Sequence, residues 1–161
     1  MKTLEFTGLD QKKVNKVVEG LSQLLADLQV FYSNLRGFHW NVKGKGFFHL
    51  HEKYEEYYDD VADKVDEVAE RILQLGATPE NRYSEYLKVA NVKEDGFDPS
   101  GREGMEKVVE TLSVLISQER KVLQSASEAG DEVTVSLMSD YLKEQEKKVW
   151  MIVSFLSKKP A

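Results

Sequence analysis

The stretch of sequence that decides the fold is residues 48–75, FHLHEKYEEYYDDVADKVDEVAERILQL. Its apolar residues recur at three- and four-residue steps, which is the spacing of the buried face of an α-helix. These residues are Leu50, Tyr54, Tyr57, Tyr58, Val61, Val65, Val68 and Ile72. Gly76 follows as a C-terminal cap, because glycine readily adopts the left-handed conformation that ends many helices. The pattern therefore predicts one long helix from about Phe48 to Leu75.

The same helix carries two pairs of candidate metal ligands. Glu55 lies one turn after His51, so both side chains point from one face of the helix. Asp66 and Glu70 form a second pair with the same spacing. At 1.5 Å of rise per residue, His51 and Asp66 are ~22 Å apart along the axis, and no single metal ion spans that distance. Two antiparallel copies of the helix about a twofold axis would form two equivalent sites, so the spacing predicts a dimer.

A fifth candidate ligand, His39, lies near the end of a preceding helix that is predicted over residues 10–41. The two helices are separated by a glycine-containing break at 43–46, and an antiparallel hairpin would keep His39 near His51. Imidazole and carboxylate donors together suit iron, manganese or zinc. Taken singly, such residues are usually surface or core residues, and only their coincidence favours a metal site. His49 lies roughly 200° around the helix from His51 and is not a candidate.

Two further long helices are predicted after a long connection at residues 79–99, which contains one short helix at 83–90. Ser100 begins the third long helix, Gly130 ends it, and Asp131 caps the fourth. The predicted core residues are Val108, Val109, Leu112, Leu115, Ile116 and Leu123 in the third, and Val133, Leu137, Met138, Tyr141, Leu142, Val149, Ile152, Val153 and Leu156 in the fourth. We predict an all-α, ferritin-like four-helix bundle with a short helix between helices two and three.

Composition excludes several classes of function. With 161 residues, the chain suits a single domain, 1–161, with an N-terminal tail 1–9 and a C-terminal tail 157–161. Cysteine is absent, which excludes disulfides, iron–sulfur clusters and thiol nucleophiles. The net charge of −6 argues against a broad nucleic-acid-binding face. No apolar run approaches the ~20 residues of a membrane span and no signal peptide is evident, so we expect a cytoplasmic protein.

Three segments closely resemble the Dps family, the miniferritins of the ferritin-like superfamily. They are NLRGFHWNV at 34–42, FFHLHEK at 47–53 and DEVAER at 66–71. The resemblance implies that iron binds between subunits, and the implied ligands are His39, His51 and Glu55 of one chain and Asp66 and Glu70 of its twofold mate. The family usually has aspartate at the position of Glu55. Ordinary ferritins carry Glu-x-x-His motifs within one chain, and this chain has none.

The resemblance also implies an activity and an assembly. Dps proteins form hollow dodecamers that act as ferroxidases: they oxidise Fe²⁺ with hydrogen peroxide or oxygen and store the ferric product, which protects against oxidative damage. Zinc or manganese is an alternative occupant of the same site. Trp40 resembles a family tryptophan that intercepts radicals or simply packs near the site. Asp131 and Asp140 are candidate residues of an iron-entry pore.

The resemblance implies DNA binding only for family members with a suitable N-terminal tail. Family members that bind DNA strongly use a lysine-rich N-terminal tail, whereas Lys2 is the sole basic residue in the tail at 1–9. We therefore expect weak or absent DNA binding, with nucleoid association as the alternative to a purely cytoplasmic location. Two other hypotheses stay open: a DNA-coating shell with little ferroxidase activity, and a helical interaction module without metal.

Overall fold

The computed structural model describes residues 2–96 and 100–157, which form a bundle of long helices. The helices are α1 (Thr3–Thr7), α2 (Gln11–Asn41), α3 (Phe47–Gln74), α4 (Tyr83–Val89), α5 (Gly101–Ala129) and α6 (Glu132–Leu156). The four long helices α2, α3, α5 and α6 surround one core, and the short α4 packs against α2. No β-strand occurs in the described ranges. The predicted all-α, ferritin-like bundle is confirmed.

Helix ends lie within one or two residues of the predicted positions because local capping residues determine them. Side chains of Asp10, Ser100 and Asp131 each accept a hydrogen bond from a backbone amide two or three residues further on. Gly76 and Gly130 follow α3 and α5 with positive φ angles of 82° and 70°. In this left-handed conformation glycine lacks the steric penalty of other residues.

Part of the predicted N-terminal tail is helical. The segment Thr3–Thr7 forms α1, and Leu4 is buried, with its side chain beside Gly76 at the end of α3. A five-residue helix is too short to show a hydrophobic period, which is why the sequence pattern does not reveal it. The end of the long connection, 97–99, and the C-terminal tail beyond Ser157 lie outside the described residues.

The core face of α6 is more polar than its hydrophobic pattern predicts. Val133 and Val153 were predicted to face the core, but they are 61% and 49% exposed. Thr134 and Gln145 are buried instead, and each is hydrogen-bonded to a side chain of α3 or α5. The prediction for the two valines is therefore wrong. Thr134 and Gln145 have buried hydrogen-bond partners, so the face of α6 that carries these polar residues points inward and the two valines point outward.

A buried acid–amide pair joins α5 to α6. Gln145 Nε2 donates to Glu119 Oε1 at 2.5 Å, and both residues are almost inaccessible to water. Glu119 Oε2 and Gln145 Oε1 have no hydrogen-bond partner within the described part of the chain. Burial raises the pKa of Glu119 to about 8, so its carboxyl group is largely protonated at neutral pH. One proton between the two unpartnered oxygens would satisfy both of them.

Candidate metal centre

The turn between α2 and α3 brings His39 and His51 into direct contact. His39 lies in the last turn of α2 and His51 in the first turns of α3, and their rings stack with centroids 3.7 Å apart and planes 19° apart. His39 Nδ1 donates to the backbone carbonyl of His51 at 2.7 Å. His51 Nδ1 donates to the backbone carbonyl of His39 at 2.8 Å. The hairpin therefore places the two imidazoles together, as the sequence predicts.

These reciprocal hydrogen bonds determine the tautomer of both histidines. A carbonyl oxygen can only accept, so each Nδ1 must carry a proton. In the neutral imidazole the other nitrogen, Nε2, then has its lone pair available. An Nδ1–H bond to a backbone carbonyl is a common way of orienting a metal-binding histidine. The pair therefore offers two nitrogen donors in fixed orientations.

Aromatic side chains surround the two imidazoles. Phe47 stacks on the His51 ring with centroids 5.1 Å apart, and the ring of Tyr58 meets His39 edge-on at 5.3 Å. His39 is buried, with 8% of its surface exposed, and His51 is half-buried. These contacts restrict rotation of the imidazoles and limit the access of water to them.

The carboxylates are distributed along α3 rather than gathered around the histidines. Glu55, Asp66 and Glu70 are all exposed. Glu55 Oε1 accepts a hydrogen bond from the Tyr58 hydroxyl at 3.3 Å, one turn along the helix from His51. Within the described part of the chain, no three histidine or acidic side chains lie close enough together to hold a metal ion. A single chain thus has two histidines and Glu55 at one end of α3 and the two other acids towards the opposite end.

Comparison with known proteins identifies the family. The ferritin-like domain family matches residues 18–160. The DNA protection during starvation protein of Porphyromonas gingivalis is 58% identical over 157 residues, which cover 98% of this chain and 99% of that protein. The corresponding protein of Helicobacter pylori is 36% identical and covers 88% of this chain and 99% of its own. This chain belongs to the ferritin-like family, among the Dps proteins.

Solved structures agree with this assignment. A Dps protein of Vibrio cholerae superposes with a TM-score of 0.91 at 50% sequence identity, over 92% of this chain and 94% of that one. That protein is described as a member of a broad superfamily of ferritin-like diiron-carboxylate proteins. Dps from Staphylococcus aureus superposes with a TM-score of 0.85 at 36% identity, over 89% of this chain and 96% of that one. The resemblance carried by the three sequence motifs is confirmed.

One of the two predicted pore acids of this Dps chain is engaged elsewhere. Asp131 is 1% exposed and accepts a hydrogen bond from Arg71 Nη2 at 2.7 Å. Its carboxylate also accepts from the amide and hydroxyl of Thr134, so it joins α3 to the start of α6. An N-cap side chain turns back towards its own helix, and this makes Asp131 a poor candidate for lining a pore.

Asp140, by contrast, lines an acidic groove between α3 and α6. The groove has a volume of about 520 Å³ and is lined by Glu67, Glu70, Glu132 and Asp140 among others. Glu132, the neighbour of Asp131, is exposed and also lines this groove, although no feature of the sequence distinguishes it from other surface acids. A role of the groove in iron entry stays a prediction.

Trp40 and His49 lie outside the histidine pair. Trp40 is 63% exposed, and the guanidinium of Arg36 lies over its ring at 4.6 Å. Its ring therefore does not pack in the core of the single Dps chain. His49 is exposed and lines a separate groove with Lys53 and Arg102, and its exclusion from the candidate ligands stays a prediction.

Proposed function

We propose that this protein is a ferroxidase and iron store of the Dps type. Fe²⁺ would bind between two subunits, with His39, His51 and Glu55 from one and Asp66 and Glu70 from the other. The ferric product would collect in a hollow shell of twelve chains. The observation that carries the proposal is the pair of stacked imidazoles whose reciprocal Nδ1 hydrogen bonds leave the lone pair of each Nε2 available for a metal.

The donor set suits iron as a substrate. Imidazole nitrogen and carboxylate oxygen bind Fe²⁺, and the anionic oxygens favour the more highly charged ferric product. Zinc and manganese accept the same donors and could compete for the site. Family membership and the description of the Vibrio cholerae relative as a diiron-carboxylate protein support iron chemistry at the level of the family.

Two iron ions supply the two electrons that the reduction of one hydrogen peroxide requires. Each Fe²⁺ gives one electron, and conversion of one hydrogen peroxide with two protons into two waters takes two electrons. Two ions held close together in one site between two chains would therefore reduce peroxide completely, whereas one ion alone would leave a hydroxyl radical. Oxygen is the alternative oxidant. This electron balance explains how such a site would protect a cell from oxidative damage.

The division of ligands along α3 supports a shared site. The histidine end and the acidic end of one helix are too far apart to hold one ion, and the described residues of a single chain form no metal-binding cluster. An antiparallel pairing of α3 with α3 of a second chain would bring unlike ends together twice. The acidic groove beside Glu70 would attract Fe²⁺ towards the interface by its negative potential.

Storage rather than DNA coating is the favoured role. The formal net charge is −6, so the chain as a whole would repel a phosphate backbone. Lys2 is the only basic side chain before residue 10. We therefore propose weak or absent DNA binding. We also propose a cytoplasmic location. None of the described helices is long and apolar enough to cross a membrane.

Iron oxidation by paired histidine variants tests the proposal. Purified protein receives Fe²⁺ without oxygen, then half an equivalent of hydrogen peroxide, and the ferric product is followed by absorbance. The double variant His39→Ala/His51→Ala should lose at least about tenfold in rate, because only carboxylates remain to bind the metal. His49→Ala is the matched control, since it removes an exposed histidine of the same helix, and it should keep the wild-type rate. Equal rates for the double variant and the wild type would overturn the proposed centre.

A further inference from the structure

Glu55 is a candidate ligand whose carboxylate has more rotational freedom than an aspartate at the same position would have. Its side chain is exposed and has one more rotatable bond than the aspartate usual in the family. A flexible carboxylate loses rotamer freedom when it binds a metal, and this weakens binding. Among the described residues, the hydroxyl of Tyr58 restrains this carboxylate by donating a hydrogen bond to Oε1 at 3.3 Å.

The ring of Tyr58 is itself fixed by contacts across the hairpin. It meets the His39 ring edge-on, with centroids 5.3 Å apart and planes at 84°. It also meets Tyr32 edge-on at 5.9 Å, and the guanidinium of Arg36 lies 5.5 Å from the Tyr32 ring centre. Both Tyr32 and His39 belong to α2, whereas Tyr58 belongs to α3. The position of the Tyr58 hydroxyl therefore depends on the same helix contact that positions the histidines.

We propose that Tyr58 is a positioning residue that holds the Glu55 carboxylate for metal binding. The inference rests on the proposed function because it takes Glu55 and His39 as ligands. The hydroxyl donates a hydrogen bond to one carboxylate oxygen, Oε1, and the other oxygen, Oε2, would then bind the metal. Contact with His39 makes Tyr58 a link between a nitrogen ligand and an oxygen ligand of the same chain. Tyr58 would thereby offset part of the added freedom of glutamate at this position.

The size of the effect follows from the behaviour of such supporting groups in metalloproteins. Hydrogen bonds to ligating carboxylates orient them, and their removal typically lowers metal affinity by about 10- to 100-fold. The Tyr58 bond is long and lies at the protein surface of the single chain, so the lower end of that range is expected. Tyr58→Phe removes the hydroxyl and keeps the ring that contacts His39 and Tyr32.

Calorimetric titration with Co²⁺ under nitrogen tests the proposal. Co²⁺ binds the same donors as Fe²⁺, and without oxygen or peroxide it stays divalent throughout the titration. Tyr58→Phe should bind one Co²⁺ per interface site about tenfold more weakly than wild type. The visible spectrum of bound cobalt should change with it, because the coordinating oxygen is displaced. Tyr32→Phe is the matched control. It removes a hydroxyl from the same aromatic cluster but keeps the Tyr58 hydroxyl that donates to Glu55, so it should bind Co²⁺ with the wild-type affinity.

A second experiment repeats the titration with a shorter carboxylate at position 55. In a Glu55→Asp background the side chain no longer reaches the hydroxyl, so adding Tyr58→Phe should change cobalt affinity no further. Identical isotherms and spectra for Tyr58→Phe and wild type would overturn the role of Tyr58. A further tenfold loss in the Glu55→Asp background would also overturn it, since the effect would then not pass through Glu55. A wild-type protein that binds no cobalt would instead overturn the proposed function.

Discussion

At the scale of single residues, His39 and His51 hold each other in place, because each Nδ1–H donates to the backbone carbonyl of the other. The proximity of His39 and His51 follows from a hairpin of two helices. Their crossed Nδ1–H bonds to backbone carbonyls depend on the conformation of the turn between α2 and α3, which no residue pattern specifies. Tyr58 was predicted only as a core residue, because its helical spacing matches the apolar stripe. Its hydroxyl contact with Glu55 becomes visible only in three dimensions.

Glu55 provides a prediction at this scale. Two iron ions in each site need two metal positions, and the position that Glu55 serves should bind less tightly than the other, because glutamate has one more torsion than aspartate. Titration with Fe²⁺ in the absence of oxygen should therefore resolve a tighter and a looser step. Glu55→Asp should tighten the looser step several-fold, and Glu55→Ala should abolish it.

The matched control is Glu52→Ala, which removes a neighbouring exposed acid of the same helix. It should leave both steps unchanged. If the isotherms of wild type, Glu55→Asp and Glu55→Ala coincide, Glu55 belongs to the charged surface and not to the site.

At the scale of elements, the four long helices were predictable because their evidence is local. Apolar periodicity, N-cap residues such as Ser100 and the glycines after α3 and α5 lie within a few residues of the features they determine. The helix Thr3–Thr7 is too short for a period, and its one buried contact, Leu4, is with the distant end of α3. The inward face of α6 was misjudged at Val133 and Val153 because buried polar partners cannot be recognised without their neighbours.

The Glu119–Gln145 pair between α5 and α6 predicts a pH dependence of stability. The pKa of Glu119 is raised to about 8, mainly by burial. The hydrogen bond from Gln145 and the charge of Lys64 act against the shift, and the charges of Glu144 and Asp60 add to it. An unfolded glutamate titrates near 4.5. Between these pH values the folded chain keeps a proton that the unfolded chain releases. The contribution of the pair to the free energy of unfolding therefore falls as pH rises from about 4.5 to about 8, by up to ~5 kcal/mol.

Glu119→Gln isolates this contribution, because an amide cannot ionise and can still form two hydrogen bonds with Gln145. Urea unfolding of both proteins at several pH values between 5 and 8.5, at one protein concentration, gives the difference. Wild type should lose stability relative to the variant as pH rises. The same pH dependence in both proteins would show that Glu119 does not hold the proton.

At the scale of the whole molecule, the single chain exposes aromatic side chains that a monomer would be expected to cover. Phe48, Trp40, Trp150 and Phe155 are 82%, 63%, 66% and 56% exposed. Exposed apolar groups of this size are typical of surfaces that pack against another protein. Sequence periodicity could not reveal these surfaces, since it separates inward from outward faces of a bundle but not solvent from a partner chain.

The mass in solution is the corresponding prediction. Twelve chains of 18.4 kDa should scatter light as a particle of roughly 220 kDa. Phe48→Lys or Phe155→Lys should shift this mass towards smaller species if either side chain lies in an interface. A stable monomer of wild-type protein at micromolar concentration would exclude both the shell and the site shared between chains.

The central claim is that each iron site takes its ligands from two chains, and subunit mixing tests it most directly. One variant, His39→Ala/His51→Ala, lacks the nitrogen donors, and the other, Asp66→Ala/Glu70→Ala, lacks the partner acids. Each should be nearly inactive in peroxide-driven Fe²⁺ oxidation when assembled alone. In a mixed dimer, however, the intact histidine end of one chain meets the intact acidic end of the other, and one of the two sites is restored.

Random pairing of an equal mixture makes half of the dimers mixed, each with one intact site of two, so about a quarter of the wild-type sites should return. The measurement is the oxidation rate of the two variants unfolded and refolded together, against the same variants refolded apart and then combined. We predict about a quarter of the wild-type rate for the first sample and close to none for the second. Equal rates in the two samples would contradict a site shared between chains.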